Sequence, residues 1–146
     1  MNKNIIIGLV CLVMFGCSEN KVTEQMLIGS WSCVSNLKSA KWRNGAFEDY
    51  GEVKTEKGNI NYLLEGGQLL WKTETDSYPF DLKTFYDKPK QLKIAHGGMR
   101  NVHKSIEYYS QNKFKMVNVF ETIYPEDSLN NHREKIEFEC LRRLNI

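Results

Sequence analysis

Two short segments near the ends of the chain constrain the fold more than any other feature of the sequence. In the first, Trp31 and Cys33 are two residues apart, and in the second Cys140 and Arg142 have the same spacing. On β-strands this spacing places both members of each pair on one face. The antiparallel register that opposes Cys33 to Cys140 also opposes Trp31 to Arg142, which predicts a disulfide beside a cation–π pair. Pairing of the first and last strands predicts an up-and-down sheet that closes on itself.

The N-terminus has the organisation of an export signal. A short basic start is followed by an apolar run over 5–15, which is too short to span a bilayer. The run ends in Met14-Phe15-Gly16-Cys17, which resembles the lipobox of bacterial lipoproteins. The alternatives are a plain signal peptide and an anchor that is never cleaved.

The lipobox resemblance implies a division of the chain into three parts. Residues 1–16 are then a cleaved signal peptide, 17–26 a lipidated cysteine and tether, and 27–146 the folded domain. It implies that Cys17 carries diacylglycerol and an N-terminal acyl chain such as palmitate, and several acyl chains anchor a protein stably. Ser18 stands where an aspartate would retain the protein in the inner membrane. The resemblance therefore implies the periplasmic face of the outer membrane.

The number of cysteines supports the pairing expected from the strand register. Removal of the signal takes Cys11 away and lipid occupies Cys17, so Cys33 and Cys140 remain. In an oxidising cell envelope such a pair is expected to form a disulfide. The alternative is two buried free thiols.

The composition limits the partners of the folded domain. The formal net charge is +2 and charges of both signs are interspersed, so no nucleic-acid binding is expected. Roughly 120 residues follow the signal and tether, enough for one domain with a modest core, and we expect a monomer. The membrane is expected to be reached through the lipid anchor, because no second apolar run is long enough to span it.

The rest of the chain has the pattern of short strands. Turn signals such as Asn44-Gly45 and 57–59 separate runs in which apolar and polar residues alternate. The predicted strands, about nine, lie at 27–35, 47–55, 60–64, 69–75, 80–86, 91–95, 104–110, 113–124 and 133–144. A loop is predicted over 36–46. The fold class is all-β, as an antiparallel barrel or a sandwich.

Two features favour the barrel. Arg142 shares the apolar face of the last strand with Cys140, where a charge is costly unless it has partners, and Trp31 is the candidate partner. In addition, Gly29-Ser30-Trp31 together with Arg142 resembles the Gly-x-Trp signature and terminal arginine of lipocalins. That resemblance implies an up-and-down β-barrel of about 8–9 strands in which Arg142 packs across Trp31 and closes the base. A β-sandwich that pairs its terminal strands is the alternative.

The sequence contains no recognisable catalytic motif, and we expect a protein that is not an enzyme. His96, His103 and His132 do not have the spacing of a zinc site. Neither a Gly-x-Ser-x-Gly elbow nor a phosphate-binding glycine loop is found. We therefore predict no metal and no cofactor.

Binding in the barrel interior is the first functional hypothesis. A small barrel can hold one small apolar or lipidic molecule if its own side chains do not fill it. The candidate interior residues are Tyr62, Leu64, Leu69, Trp71, Phe85, Ile94, Tyr108, Phe114, Met116 and Phe120. Because so many are aromatic, a filled barrel or a small cavity is favoured over an open one.

Binding through loops is the second hypothesis. The segment 95–104 is basic and glycine-containing, and is predicted to be an irregular loop that carries His96, Met99, Arg100 and His103. It could contact an acidic partner such as an envelope protein, whereas an ordinary hairpin loop is the alternative. The two functions are thus a non-enzymatic carrier of a small apolar ligand and a protein-binding inhibitor or immunity-type lipoprotein.

Overall fold

Nine antiparallel strands build one curled sheet, preceded by a single turn of α-helix. The computed structural model describes residues 20–143. The helix is α1 (Glu24–Leu27), and the strands are β1 (Gly29–Arg43), β2 (Ala46–Phe47), β3 (Lys54–Glu65), β4 (Gln68–Lys72), β5 (Ser77–Pro79), β6 (Lys90–Lys93), β7 (Met99–Ser110), β8 (Lys113–Ile123) and β9 (His132–Arg142). Short 3₁₀ turns lie at Leu82–Phe85, Ala95–Gly97 and Ser128–Asn130.

The strand order is that of an up-and-down barrel. Along the hydrogen-bonded path the order is β5-β4-β3-β1-β9-β8-β7-β6, and β2 pairs with β1 outside this path. The long first strand therefore lies beside the last one, while β5 and β6 form the two ends of the path. The predicted all-β, antiparallel, barrel-like fold is confirmed, and its eight main strands have the form of a curled half-barrel.

The register between the first and last strands is the one expected from the sequence. Cys33 lies opposite Cys140, and Trp31 lies opposite Arg142. The face of the sheet that carries these four residues holds the hydrophobic core, and we call it the inner face. Fully buried side chains on or against it include Trp31, Tyr62, Phe114, Leu27, Met116, Val22 and Cys140.

The first strand is longer than predicted, because β1 continues through most of the predicted loop at 36–46. It pairs with β9 as far as Lys41, which lies opposite His132. The hydrogen-bonded ladder between β1 and β9 continues through these mostly polar residues. The low hydrophobicity of the segment therefore wrongly indicated a loop. The turn at Asn44-Gly45 is confirmed, with φ angles of 54° and 82°.

Three other predicted elements are wrong. The predicted strand at 47–55 is not formed, because β2 ends at Phe47 and β3 begins only at Lys54. The 57–59 segment is not a turn, because β3 runs through it and Gly58 lies opposite Cys33 in the ladder with β1. The predicted strand at 80–86 contains the 3₁₀ turn Leu82–Phe85. There the carboxylate of Asp81 accepts a hydrogen bond from the backbone N–H of Lys83 at 3.0 Å, which caps the turn and favours it over an extended strand.

The folded part of the chain begins before residue 27, the boundary expected from the sequence. Val22 and Met26 are only 1% and 5% exposed and belong to the core, so the predicted tether at 17–26 is packed in its second half. The predicted signal peptide and the lipidation site Cys17 lie outside the described residues. Within 20–143, none of the helices has the length and apolar character needed to cross a membrane.

Candidate ligand-binding groove

The inner face is closed at one end by Arg142 and Trp31. The Arg142 guanidinium lies over the Trp31 ring, 4.3 Å from its centroid. It also donates hydrogen bonds to the backbone carbonyls of Met26 and Ile28, the latter at 3.0 Å. The Trp31 Nε1–H donates to the Leu27 carbonyl at 2.7 Å. Both side chains thus donate hydrogen bonds to carbonyls at the end of α1. These hydrogen bonds compensate the cost of placing the charged guanidinium on the apolar face.

Next to this contact, side chains fill the inner face of the sheet. The Cys33–Cys140 disulfide is formed, with the two Cα atoms 4.1 Å apart. The Trp31 and Phe114 rings meet edge to face with centroids 4.6 Å apart. Burial raises the pKa of the Tyr62 hydroxyl well above its usual value. We call this filled half of the inner face the base.

The other half of the inner face contains two cavities on either side of Trp71. The first has a volume of about 430 Å³ and lies between β1, β3 and the segment 73–75. The second has a volume of about 410 Å³ and lies between Trp71 and the 3₁₀ turn that ends at Phe85. Trp71 lines both cavities, and we call them together the Trp71 groove.

Half of the residues that line the second cavity are aromatic, whereas those that line the first are mostly polar and include Glu56, Lys57 and Glu74. The centroid of Trp71 lies 5.8 Å from that of Phe138 and 6.4 Å from that of Phe80, both with edge-to-face geometry. Phe80 in turn stacks on Phe85 with centroids 5.3 Å apart. The 3₁₀ turn places Phe85 here because its cap at Asp81 directs the chain inward between β5 and β6. The aromatic walls of the second cavity favour an apolar ligand body.

Two polar atoms in this groove have no partner in the part of the chain that the structure describes. The indole Nε1 of Trp71 and the amide Oδ1 of Asn118 are both inaccessible to solvent and make no hydrogen bond there. Buried polar atoms in folded proteins are nearly always paired, and each exception calls for an explanation. A donor and an acceptor of this kind can be satisfied by a ligand with a polar group of its own, or by water.

Seven of the ten predicted interior residues lie in the base or the groove, while Tyr108 packs against the core from a half-buried position and Ile94 is half-buried outside the core cluster. Four fill the base: Tyr62, Leu69, Phe114 and Met116. Three line the groove: Trp71, Phe85 and Phe120. Leu64, by contrast, is 52% exposed, so its assignment to the interior is wrong, since it lies at the end of β3 beyond the core. The prediction of a filled interior therefore applies to the base, whereas the other half of the inner face contains the open cavities of the groove.

The predicted binding loop at 95–104 is mostly strand. Met99 begins β7 and pairs with Ile123, because the β7–β8 ladder continues to the end of both strands. The Arg100 Nε–H donates to the Thr122 hydroxyl at 3.2 Å, so this side chain is engaged within the sheet. His96 lies in the 3₁₀ turn Ala95–Gly97 and has a φ of 56°, whereas His103 lies within β7. The four residues do not form one loop surface.

Besides Phe80 and Phe138, two polar residues of the groove were not among the predicted interior residues, although an available signal pointed to them. Asn118 follows Met116 and precedes Phe120 at the inward positions of β8, and Lys104 similarly interrupts the inward series of β7. A polar residue in an apolar alternation is costly unless it is used. Among residues 20–143, no cluster of three His, Cys, Asp or Glu side chains could hold a metal ion.

No protein-family model, no curated protein and no solved structure matches the chain.

Proposed function

We propose that this protein is a non-enzymatic, lipid-anchored lipoprotein of lipocalin-like type that binds a small ligand with an apolar body in the Trp71 groove. The observation that carries the proposal is the groove itself, which has aromatic walls in its second cavity and encloses two unpaired polar atoms, Trp71 Nε1 and Asn118 Oδ1. Pockets that bind small molecules have this composition, with apolar walls and a few polar groups that orient the ligand.

The proposed location rests on the sequence alone. Cys17, in its lipobox-like context, is the proposed site of lipidation, and the periplasmic face of the outer membrane is the proposed address. Replacement of Cys17 by serine is then expected to release the protein into the soluble periplasmic fraction. If the Cys17→Ser protein stays with the membrane, the N-terminal segment is an uncleaved anchor and the lipoprotein assignment is wrong.

Native mass spectrometry tests the binding function. The full chain carrying Cys17→Ser, exported to the periplasm, is expected to retain a discrete extra mass that is lost on denaturation. A second substitution, Trp71→Ala, is expected to remove the extra mass because it removes the wall shared by both cavities. The matched control is Trp42→Ala, since Trp42 packs on Phe47 of β2, outside the groove. Retention of the mass in both variants would place the ligand elsewhere and contradict the proposal.

The alternative function, an inhibitor or immunity-type protein, is favoured by one surface feature. Leu129, in the loop between β8 and β9, is 94% exposed, and it borders a surface pocket with Trp42. An isolated exposed leucine is common, but one beside an aromatic residue suits a protein contact. A photo-crosslinker at position 129 tests it in living cells. A discrete adduct at 129 that is missing at Lys113, on the outer face, would support the alternative.

A further inference from the structure

A pocket lined by lysines adjoins the Trp71 groove. Its volume is about 170 Å³, and it opens between β6, β7 and the 3₁₀ turn. Its lining residues are Thr84, Lys88, Lys90, Leu92, Val102 and Lys104. We call it the lysine pocket. Thr84 and Lys104 line both this pocket and the Phe85 side of the groove, so the two spaces adjoin at these side chains, and we call the two spaces together the path.

Lys104 lies at the junction between the two spaces. It is opposite Asn118 in the β7–β8 ladder, and its ammonium group lies over the Phe85 ring, 5.3 Å from the centroid. The side chain therefore points to the inner face, where it is half-buried. No acidic side chain within residues 20–143 forms a salt bridge with it. A half-buried ammonium without a carboxylate partner is a favourable position for an anion.

Of the two acidic groups nearby, Asp87 is paired with a lysine, whereas Asp81 lines the second cavity and keeps its negative charge. Asp87 forms a salt bridge with Lys90 at 2.8 Å, and Asp81 accepts the hydrogen bond that caps the 3₁₀ turn. Lys88 and Lys104 remain without salt bridges within the described part of the chain. The end of the path at the lysine pocket is thus positively charged, whereas its other end, around Trp71, is aromatic.

From this arrangement we propose that the ligand is an anionic amphiphile, a carboxylate or phosphate carried on an apolar chain. The head group binds at Lys104 and the lysine pocket, and the apolar chain extends past Phe85 to Trp71. This proposal rests on the proposed function and adds the charge and orientation of the ligand. An ammonium that already faces an aromatic ring needs no rearrangement to meet the head group, whereas a cationic ligand would meet repulsion there.

The proposal is tested with four probes that share a twelve-carbon chain and differ in the head group. They are dodecanoate, dodecyl phosphate, dodecanol and dodecyltrimethylammonium, each titrated calorimetrically below its micelle concentration into the Cys17→Ser protein. The two anions are expected to bind about tenfold or more tightly than the alcohol, with the cation weakest. The comparison of dodecanoate with dodecyl phosphate distinguishes a carboxylate from a phosphate source.

The variant Lys104→Met keeps the apolar stem of the side chain and removes its charge. It is expected to abolish the preference for the anions, so that dodecanoate and dodecyl phosphate bind no more tightly than dodecanol to this variant. The matched control is Lys113→Met, which removes the same charge from the outer face, where Lys113 lies over Tyr109. The control is expected to keep the preference for anions.

The outcomes separate this proposal from the proposed function. If dodecanol binds as tightly as dodecanoate, or if Lys113→Met has the same effect as Lys104→Met, the head-group assignment is overturned and the groove still stands. If none of the four probes binds, both the head-group assignment and the proposed apolar-ligand function are wrong.

Discussion

The two halves of the inner face are built from the same strands, but they differ in how their polar groups are satisfied. In the base, the Arg142 guanidinium and the Trp31 indole both donate to backbone carbonyls, and the disulfide joins the same two strands. In the groove, Trp71 Nε1 and Asn118 Oδ1 have no partner within residues 20–143. The polar groups of the base are thus satisfied within the fold, while two polar atoms of the groove remain unpaired among the described residues.

The disulfide is expected to make the largest single contribution in the base. The double substitution Cys33→Ala/Cys140→Ala should lower the free energy of unfolding by about 4–5 kcal/mol, because the bridge closes a loop across 107 residues. Urea titration followed by circular dichroism measures the loss. Reduction of the unsubstituted protein should reproduce it. A loss below about 1 kcal/mol would show that the strands hold the base without the bridge.

Arg142 is expected to rank second. Arg142→Met should cost about 2–4 kcal/mol, because the buried carbonyls of Met26 and Ile28 lose their donor and the Trp31 ring loses its cation. Thermal unfolding of the variant measures the cost. Arg143→Met is the matched control, since that residue is exposed, and it should stay within about 0.5 kcal/mol. If Arg142→Met and Arg143→Met destabilise the protein equally, Arg142 does not close the end of the inner face as described here.

Gly29 is expected to follow, because it allows this closure. Its φ is +123°, and a Cβ there would lie 3.0 Å from Nη1 of Arg142. Gly29→Ala should therefore cost about 1–3 kcal/mol through backbone strain and displacement of the guanidinium. Gly58→Ala is the control, because nothing lies within 4 Å of its Cβ position and its φ is ordinary. Urea titrations that rank the two variants equally would contradict this view.

The same contrast explains how much of the molecule could be predicted from the sequence. The base depends on residues whose spacing sets a register, so opposing Cys33 to Cys140 was enough to oppose Trp31 to Arg142. The all-β class followed from alternation and turn dipeptides. These features are local or depend on one long-range pairing, and both leave a clear trace in a sequence.

The groove depends on information that a sequence pattern does not carry. Its wall at Phe85 exists because the 3₁₀ turn, rather than an extended strand, follows Asp81 and buries Phe85. The extension of β1 beyond residue 35 was likewise not expected. Both were mispredicted, because polar composition indicated a loop at 36–46 and the alternation of apolar and polar residues indicated a strand at 80–86. Pairing with β9 decided the case of β1, and the local cap at Asp81 decided that of the 3₁₀ turn. Lys104 and Asn118 were visible as breaks in alternation, but only the fold shows that they face the same space.

A smaller effect is expected on the outer face, where Glu137 contacts three lysines. It lies 3.4 Å from Lys38, 3.0 Å from Lys115 and 3.3 Å from Lys135. Partial burial by itself would raise the pKa of Glu137, but the hydrogen bonds and charges of Lys115 and Lys135 outweigh it and lower the pKa to about 2. At neutral pH we expect Glu137→Gln to cost about 1 kcal/mol or less.

The acid dependence tests the origin of this effect. Because the pKa of Glu137 is lower in the folded than in the unfolded chain, the unfolded state takes up the proton first as the pH falls. The stabilisation is thus complete above the ordinary pKa of 4.5 and is lost between 4.5 and about 2. Urea titrations at neutral pH and across this range should show the two proteins converging in acid. A difference that is independent of pH would exclude the carboxylate charge as its cause.

The smallest effect, and the only one with the opposite sign, is expected in the groove. Asn118→Leu removes a buried carbonyl that has no partner in the described part of the chain, so it should be neutral or should stabilise by a few tenths of a kcal/mol. Asn131→Leu is the matched control, because the Asn131 Oδ1 accepts a hydrogen bond from the Tyr124 N–H at 2.6 Å. Its loss should cost about 1–3 kcal/mol. If the two variants are equally destabilised in thermal unfolding, Asn118 is a structural residue of the sheet. If Asn118→Leu is as stable as the parent protein but binds dodecanol more weakly, its unpaired oxygen serves the ligand, because the hydroxyl of dodecanol can donate a hydrogen bond to it.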